Sequence, residues 1–563
     1  METKQSKMFS RIKELISPWH VIYAVFIAYL CHGAMLFSDT IGIDTEKAIL
    51  DSDAYATQGR AGVIWIRNLL KAGNFNLYYE EGLTFALLVV SPFVFLTIFY
   101  FISKDLGLFR KVIIPFLTFW IISPFWVAQL YFLSQSVPVM VTLILLPIAA
   151  WLVNMSVDNL KKWWGLLIAV AIIYLSLNVY QMQIVIYALC VLVIFYFRNR
   201  ENNYSFKGII KWIVINAGVI LGAMVIYLII SKLFFFAGES YLTSQISWTH
   251  VGIKQGIIGI VVWFINSCRY PSFSKVFVPA CFLLLLFSGL NMFARKNDKK
   301  VGNRLFLLFV EMLICIIPYV FVIFYGNGIS PRMCYPFPVT EAVVILLLVK
   351  EILLFVEAFH INKKRVLGII SKGILVIMLL IMVKDVLNLW DYSNKMYYTE
   401  NYVYRQDVEI SKNVKNEIEH VINENGYDRQ DAYEHLIFLG TPPITYNDSC
   451  WPGCGGATIG GSFWEWDHTY SMYRYRIYPI MELNGYGINH AVFSDGAQMA
   501  YYYYFEDFFG EAVTQMPAYP NEGYVQYLQD ESTGLKYFVV KLGYNWKDEM
   551  EQNREQMISQ LEN

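Results

Sequence analysis

The sequence predicts a polytopic α-helical membrane protein of about eleven transmembrane helices with a C-terminal extracytoplasmic α/β domain. Three observations predict it. Hydrophobic residues make up 56% of the 563-residue chain and charged residues only 16%, where soluble domains carry about 25% charged. Apolar runs long enough to cross a bilayer recur as far as residue 388. The charge then changes sign: residues 1–390 hold 33 Lys and Arg against 19 Asp and Glu, and residues 391–563 hold 11 against 26. An apolar, basic body (1–390) is thus followed by a polar, acidic domain (391–563). This composition excludes a nucleic-acid binder, a disordered chain and a disulfide framework.

A spanning helix needs about 20 mostly apolar residues, because the hydrocarbon core offers no water to a broken backbone bond. Such runs lie near 19–37, 83–102, 113–133, 138–154, 164–180, 182–197, 212–236, 276–294, 305–325, 335–358 and 367–388. The fifth and sixth are nearly fused through Asn178, Tyr180, Gln181 and Gln183, which read as a tight outer turn, with one kinked, partly re-entrant helix as the alternative. Lys and Arg concentrate on the cytoplasmic side. With the N-terminus inside, cytoplasmic segments hold 21 basic residues and outer segments 8. An odd number of spans then places the C-terminal domain outside. The first span continues through Cys31 and His32 without a small-x-small cleavage site, so it reads as a retained helix.

The C-terminal domain opens as a helix, with Val408, Ile410, Val414, Ile418 and Ile422 at helical spacing. Short apolar runs at 435–440 and 536–541 follow and suit strands bounded by Gly, Pro and Asn. It holds 22 of the 40 tyrosines, most of which read as ordinary core. Cys450 and Cys454 flank Trp-Pro-Gly on the oxidising side, where a local disulfide is plausible. No Cys-x-x-Cys or His-Glu-x-x-His spacing points to zinc.

Chemistry is expected in the first outer loop, 38–82. It carries Asp39, Asp44, Glu46, Asp51 and Asp53, then Arg60, Arg67 and Lys71. Asp44 and Glu46 point the same way if the segment is extended. Two such acids can serve as a general base with an electrostatic partner, or hold a divalent cation such as Mg or Mn. No cofactor is required by the pattern. Arg60, Ile64, Arg67 and Lys71 fall on one stripe of an interfacial helix, which suits a lipid phosphate and equally suits an amphipathic helix with snorkelling cations. Tyr325-Gly-Asn-Gly-Ile-Ser-Pro-Arg332 forms a second outer turn whose only charge is Arg332. Glu311, Glu341 and Lys350 lie inside proposed spans, where ionisable groups are costly. Glu341 sits near the outer end and is a candidate cavity-lining group, while Glu311 and Lys350 read as partners in structural ion pairs. A second long outer segment, 237–275, carries a half-inserted apolar stretch at 251–265.

The chain resembles the polytopic glucosyltransferases of surface-polysaccharide modification, relatives of the serotype-converting O-antigen glucosyltransferases. The resemblance rests on Ile43-Asp-Thr-Glu46 after the first span, Gly59-Arg60, and Pro331-Arg332 before a late span. In the tail it rests on Gly460-Gly-Ser-Phe-Trp-Glu-Trp-Asp467, Arg474, Arg476 and Gly485-Tyr486. It implies a C-type glycosyltransferase architecture in a bacterial plasma membrane, with an outward-facing site. The implied donor is a polyprenyl-phosphate sugar, glucosyl or a similar hexosyl, and the implied acceptor is a hydroxyl of a cell-surface glycan. It implies Asp44 as base with Glu46 in support and Arg60, Arg67 and Arg332 on the donor phosphate, with Asp53 a further candidate; Glu341, from its place in a span, and Trp464, Trp466 and Tyr501 to Tyr504, whose aromatic faces suit sugar C–H surfaces, are candidates toward the acceptor. Many relatives begin this loop with adjacent acids, whereas Thr45 separates them here, so the choice of base stays open. Two other readings stand beside this one: a flippase for lipid-linked sugars, and an envelope transferase moving phosphoglycerol or acyl groups.

Overall fold

The structure, a computed structural model, describes residues 4–46, 55, 59–70, 76–159, 162–202, 204–235, 246, 248, 252–294, 301–326, 328–360, 366–446, 460–465, 476–488 and 495–561. The chain divides into two compact units, one of Met1–Ser38 with Ser52–Tyr397 and one of Asp39–Asp51 with Tyr398–Asn563. The sequence boundary at residue 390 therefore falls inside a helix, and Asp39, Asp44 and Glu46, expected in an outer loop of the body, belong to the second unit.

The first unit is helical: α1 (Lys4–Leu15), α2 (Pro18–His32), α3 (Ala61–Leu69), α4 (Leu77–Ser103), α5 (Leu106–Ile121), α6 (Pro124–Leu130), α7 (Leu133–Asp158), α8 (Trp164–Val179), α9 (Gln183–Asn202), α10 (Phe206–Ile230), α11 (Gly252–Arg269), α12 (Phe277–Ala294), α13 (Val301–Ile316), α14 (Val320–Tyr325), α15 (Pro336–His360) and the start of α16 (Val366–Asn425). Among the described residues, six helices are long and apolar enough to cross a membrane, or seven if the bent pair α5–α6 is one span. The sequence predicts eleven apolar runs, and several of the others differ from these six in length or charge. Helix α8 has 16 residues and α12 has 18, against the roughly 20 of a typical span. Helix α15 carries Glu341, Lys350, Glu351 and Glu357, and the run at 367–388 is the opening of the 60-residue α16. Helices α8 and α9 are separate, joined through 180–182.

Local chemistry sets the helix ends. The Asn76 side chain accepts from Tyr79 N at 3.1 Å to open α4, and Asp105 accepts from Leu108 N at 3.0 Å to open α5. Ser123-Pro124 breaks the next helix, bending α6 from α5 by 53°. Gly62 sets the approach of α3 to α8: a Cβ there would lie 3.0 Å from the Asn178 backbone and from the Leu175 carbonyl oxygen. His32, buried, bonds Ile121 O at 2.7 Å and the Tyr397 hydroxyl at 3.1 Å, tying α2, α5 and α16 together. Near the end of α9, Arg200 and the Tyr196 hydroxyl both meet Glu351, and Asn291 Nδ2 donates to Glu351 Oε2 at 2.7 Å. Lys350, expected to pair with a carboxylate, instead lies 4.7 Å from the Phe197 ring centre.

The second unit contains the rest of α16, then α17 (Arg429–Glu434), β1 (Leu436–Leu439), α18 (Tyr478–Leu483), α19 (Asp495–Gln515), β2 (Val525–Gln529), β3 (Lys536–Lys541) and α20 (Trp546–Leu561). The sheet order is β1-β3-β2, with β1 parallel and β2 antiparallel to β3. All four residues of β1, Leu-Ile-Phe-Leu, are buried, as expected of a strand covered on both faces. The alternation sorts them. Leu436, Phe438, Phe538 and Val540 pack with Ile410, Val414 and Ile418 of α16, while Ile437, Leu439, Tyr537 and Val539 pack with Phe505, Phe509 and Trp546. Helices thus cover both sheet faces. Lys541, buried at the end of β3, donates to Val513 O and Met516 O at 2.7 Å. Its charge meets the carbonyl end of α19, where a cation is favoured.

Asp407 on α16 is buried in this unit and accepts from the Ser462 hydroxyl and from Phe463 N at 2.9 Å. Burial pushes its carboxyl up to about 8, against the pull of those two donors. A carboxyl raised in the folded state contributes stability that is present below its unfolded value, near 4, and lost as pH rises through about 8. Hydrogen-exchange protection of residues 405–414 and 460–465 is therefore expected to fall between pH 4 and pH 8 after correction for intrinsic rates. Asp407→Asn should flatten that dependence; an unchanged slope would contradict the assignment.

Candidate active site

In the second unit the expected acids sit in a turn. Asp44 adopts φ +75, a left-handed conformation that Asp tolerates better than most residues, and Thr45 N bonds Gly42 O at 3.1 Å. The segment is not extended, so the two acids do not share a strand face. Arg476, just before α18, brings them together: its Nη2 lies 2.8 Å from Asp44 Oδ1 and its Nη1 3.2 Å from Glu46 Oε1. The Glu46 side chain is fully buried, whereas that of Asp44 is 37% exposed.

The surroundings hold this arrangement in place. Gly460 lies against Ile43, where a Cβ would come within 3.0 Å of Ile43 Cδ1, and its N–H donates to Glu400 Oε1 at 3.3 Å. Asn401 Nδ2 donates to Thr40 Oγ1 at 2.8 Å. Residues 40–46, 400–401, Gly460 and Arg476, distant in sequence, thus meet within one unit. Trp464, expected to offer an aromatic face to a glycan, is instead a core side chain: 2% exposed, it packs edge-on against Phe438 at 5.7 Å and donates from Nε1 to Asp407 O at 3.2 Å. Its apolar surface is used up by the sheet. Asp53, Lys71, Cys450, Cys454, Trp466 and Arg474 lie outside the described residues, as do the side chains of Tyr501 to Tyr504.

In the first unit Arg60 caps α3, and its guanidinium lies 5.2 Å from the Tyr180 ring centre. Tyr180 stacks on Tyr335 at 6.1 Å, Tyr335 on Trp126 at 6.1 Å, and Trp126 on Trp120 at 6.4 Å. Arg332 lies 4.4 Å from the Phe132 ring centre, and both arginines act electrostatically on the Tyr180 hydroxyl. Two of the expected cations are therefore near one tyrosine, each held against an aromatic face. Arg67 is engaged differently: buried, it faces buried Glu80 at 3.7 Å. Glu341, expected to line an open cavity, is buried and accepts from the Ser274 hydroxyl, which also reaches Asp385 Oδ2 at 2.6 Å.

Several of these groups escaped the sequence reading. Glu80 and Glu81 stand at the head of an apolar run, which is itself a signal for intramembrane acids. Arg476 appeared only through the resemblance, because nothing local ties it to residues 430 and 432 positions away. Among the described residues, no group of three or more His, Cys, Asp or Glu side chains is placed to hold a metal ion.

Residues 33–349, more than half of the chain, match the family model described as Glucosyl transferase GtrII. No curated protein matches the chain, and no solved structure does.

The bridge makes a specific energetic demand. Removing one partner of a buried ion pair costs about 3 kcal/mol or more, because the other charge stays buried. Arg476→Met should lower the opening free energy of residues 39–46 and 476–483 by about 3 kcal/mol in hydrogen exchange. Adding Glu46→Gln to that variant should restore much of the loss. Additive losses would argue against a shared bridge.

Proposed function

We propose, since the chain belongs to the glucosyl transferase GtrII family, that it moves a glucosyl group from a polyprenyl-phosphate donor to a hydroxyl of a cell-surface glycan. Family membership and the long apolar helices make it a membrane glucosyltransferase; the donor and acceptor classes belong to the proposal. So do the bacterial plasma membrane, the cytoplasmic N-terminus and the extracytoplasmic second unit, which the distribution of Lys and Arg supports.

The observation that carries the catalytic assignment is the bridge from Arg476 to Asp44 and Glu46. A general base must reach the proton it removes. Asp44 has the more exposed carboxylate, so it is assigned that role, and buried Glu46 positions it through the shared guanidinium. The acceptor oxygen forms its bond to the anomeric carbon as its proton passes to Asp44. The bond from that carbon to the phosphate oxygen breaks, and polyprenyl phosphate leaves with the electron pair. Arg60 and Arg332 are assigned to that phosphate, since positive charge at a departing anion favours the transition state. Arg67 already shares its charge with Glu80 and is assigned a supporting place.

Purified protein in lipid nanodiscs, given glucosyl-phosphate-polyprenol and cell-wall glycan, should release polyprenyl phosphate in an acceptor-dependent way. Asp44→Asn should lower kcat by about 100-fold or more, and Arg332→Ala should mainly raise KM for the donor. Full turnover by Asp44→Asn would remove it as the base. Movement of donor across the bilayer without release would favour the flippase.

A further inference from the structure

Two buried glutamines flank the break between α6 and α7. Gln129, the last but one residue of α6, and Gln135, in the first turn of α7, are fully buried. Among the described residues, neither the Nε2 nor the Oε1 of either side chain has a hydrogen-bond partner. Proteins rarely bury such groups unpaired, since the lost hydration is not repaid. The neighbouring hydroxyls show what satisfied groups look like here: Thr84 Oγ1 bonds Ser136 Oγ at 2.8 Å, and the Tyr55 and Ser134 hydroxyls bond each other.

Their location narrows what they could bond. Phe132 lies between them in sequence and sits beneath the Arg332 guanidinium, 4.4 Å from its ring centre. Trp126, one turn before Gln129, carries the stack that continues through Tyr335 and Tyr180 to Arg60. The two glutamines thus lie in the short stretch 126–135 whose Trp126 and Phe132 lead to the two arginines assigned to the donor phosphate. A carboxamide is uncharged and offers one acceptor and two donors. That set matches neighbouring hydroxyls of a pyranose, each of which donates and accepts. A phosphate, by contrast, offers acceptors alone.

We propose that Gln129 and Gln135 read the hydroxyls of the transferred sugar and set which hexose the protein accepts. This rests on the reading of Arg60 and Arg332 as the donor-phosphate site. Unpaired, the amides are a liability that a bound sugar removes, so a site built this way rejects a sugar lacking the matching hydroxyl.

The test uses full-length protein in nanodiscs with three probes: glucosyl-phosphate-polyprenol, its galactosyl epimer, and polyprenyl phosphate with no sugar. Gln129→Met and Gln135→Met keep the side-chain length and remove the polar atoms. Each should weaken the glucosyl lipid tenfold or more, narrow its preference over the galactosyl lipid, and leave bare polyprenyl phosphate unchanged. The melting temperature without ligand should hold or rise, because an unpaired buried amide has been removed. Gln135→Asn, which keeps the amide but withdraws it, should lose the same discrimination. The inference is overturned if the methionine variants keep the full glucosyl preference, lose all three lipids equally, or melt markedly lower. Arg332→Ala separates the two levels, since it should weaken all three probes alike. If Arg332→Ala binds all three as wild type does, or wild type binds none, the phosphate reading fails and this inference falls with it.

Discussion

A single guanidinium, Arg476, spans two carboxylates that lie more than 400 residues upstream, and the arrangement of the second unit around residues 39–46 depends on it. Glu46 is closed off from solvent, and a buried carboxylate is tolerable only beside a compensating charge and donors. Arginine suits the task because its planar fork offers separate N–H groups to separate oxygens. The same constraint operates in the first unit, where Arg67 meets Glu80 and Arg200 meets Glu351. In each case an acid and a base from different helices fix a register that apolar packing alone would leave free to slide.

Around these pairs the first unit is built for rigidity where aromatic rings stack. Trp120, Trp126, Tyr335 and Tyr180 form a continuous series capped by Arg60. The series crosses the α5–α6 break, so a bend imposed by Ser123-Pro124 places Trp126 where a straight helix could not. Cations held over ring faces keep their charge available while losing little freedom when an anion arrives. A phosphate that must be gripped in the donor and released as product is the kind of group such a wall serves.

Much of this was legible in the sequence, and the limits have physical reasons. Apolar runs located the helices because hydrocarbon enforces their composition, while Asp44 and Glu46 stood out as close acids in a long outer loop and Arg332 as the only charge of its turn. Among the described residues fewer helices are long and apolar enough to span than the eleven runs the sequence suggests: α15 carries Glu341, Lys350 and Glu351 among its apolar residues, and α8 has only 16 residues. Charge located a domain boundary at 390, but the backbone carries α16 through it without interruption. Trp464 looked like a sugar-stacking face because indoles serve both cores and ligands, and only the sheet it packs against decides between them. The Arg476 bridge was invisible because pairing across 430 residues leaves no local pattern, and the buried glutamines were silent because an unsatisfied amide has no sequence signature.

In the proposed reaction the two acids act in glucosyl transfer through the guanidinium they share. The most direct test is single-turnover transfer by Arg476→Lys against wild type, with donor and acceptor saturating. Lysine keeps the charge but, as a compact ammonium, lacks the fork that serves two carboxylates at once. The variant's transfer rate should be lower by about 100-fold or more, with donor affinity preserved, since the phosphate is assigned to other arginines. A lysine variant that transfers at the wild-type rate would contradict it.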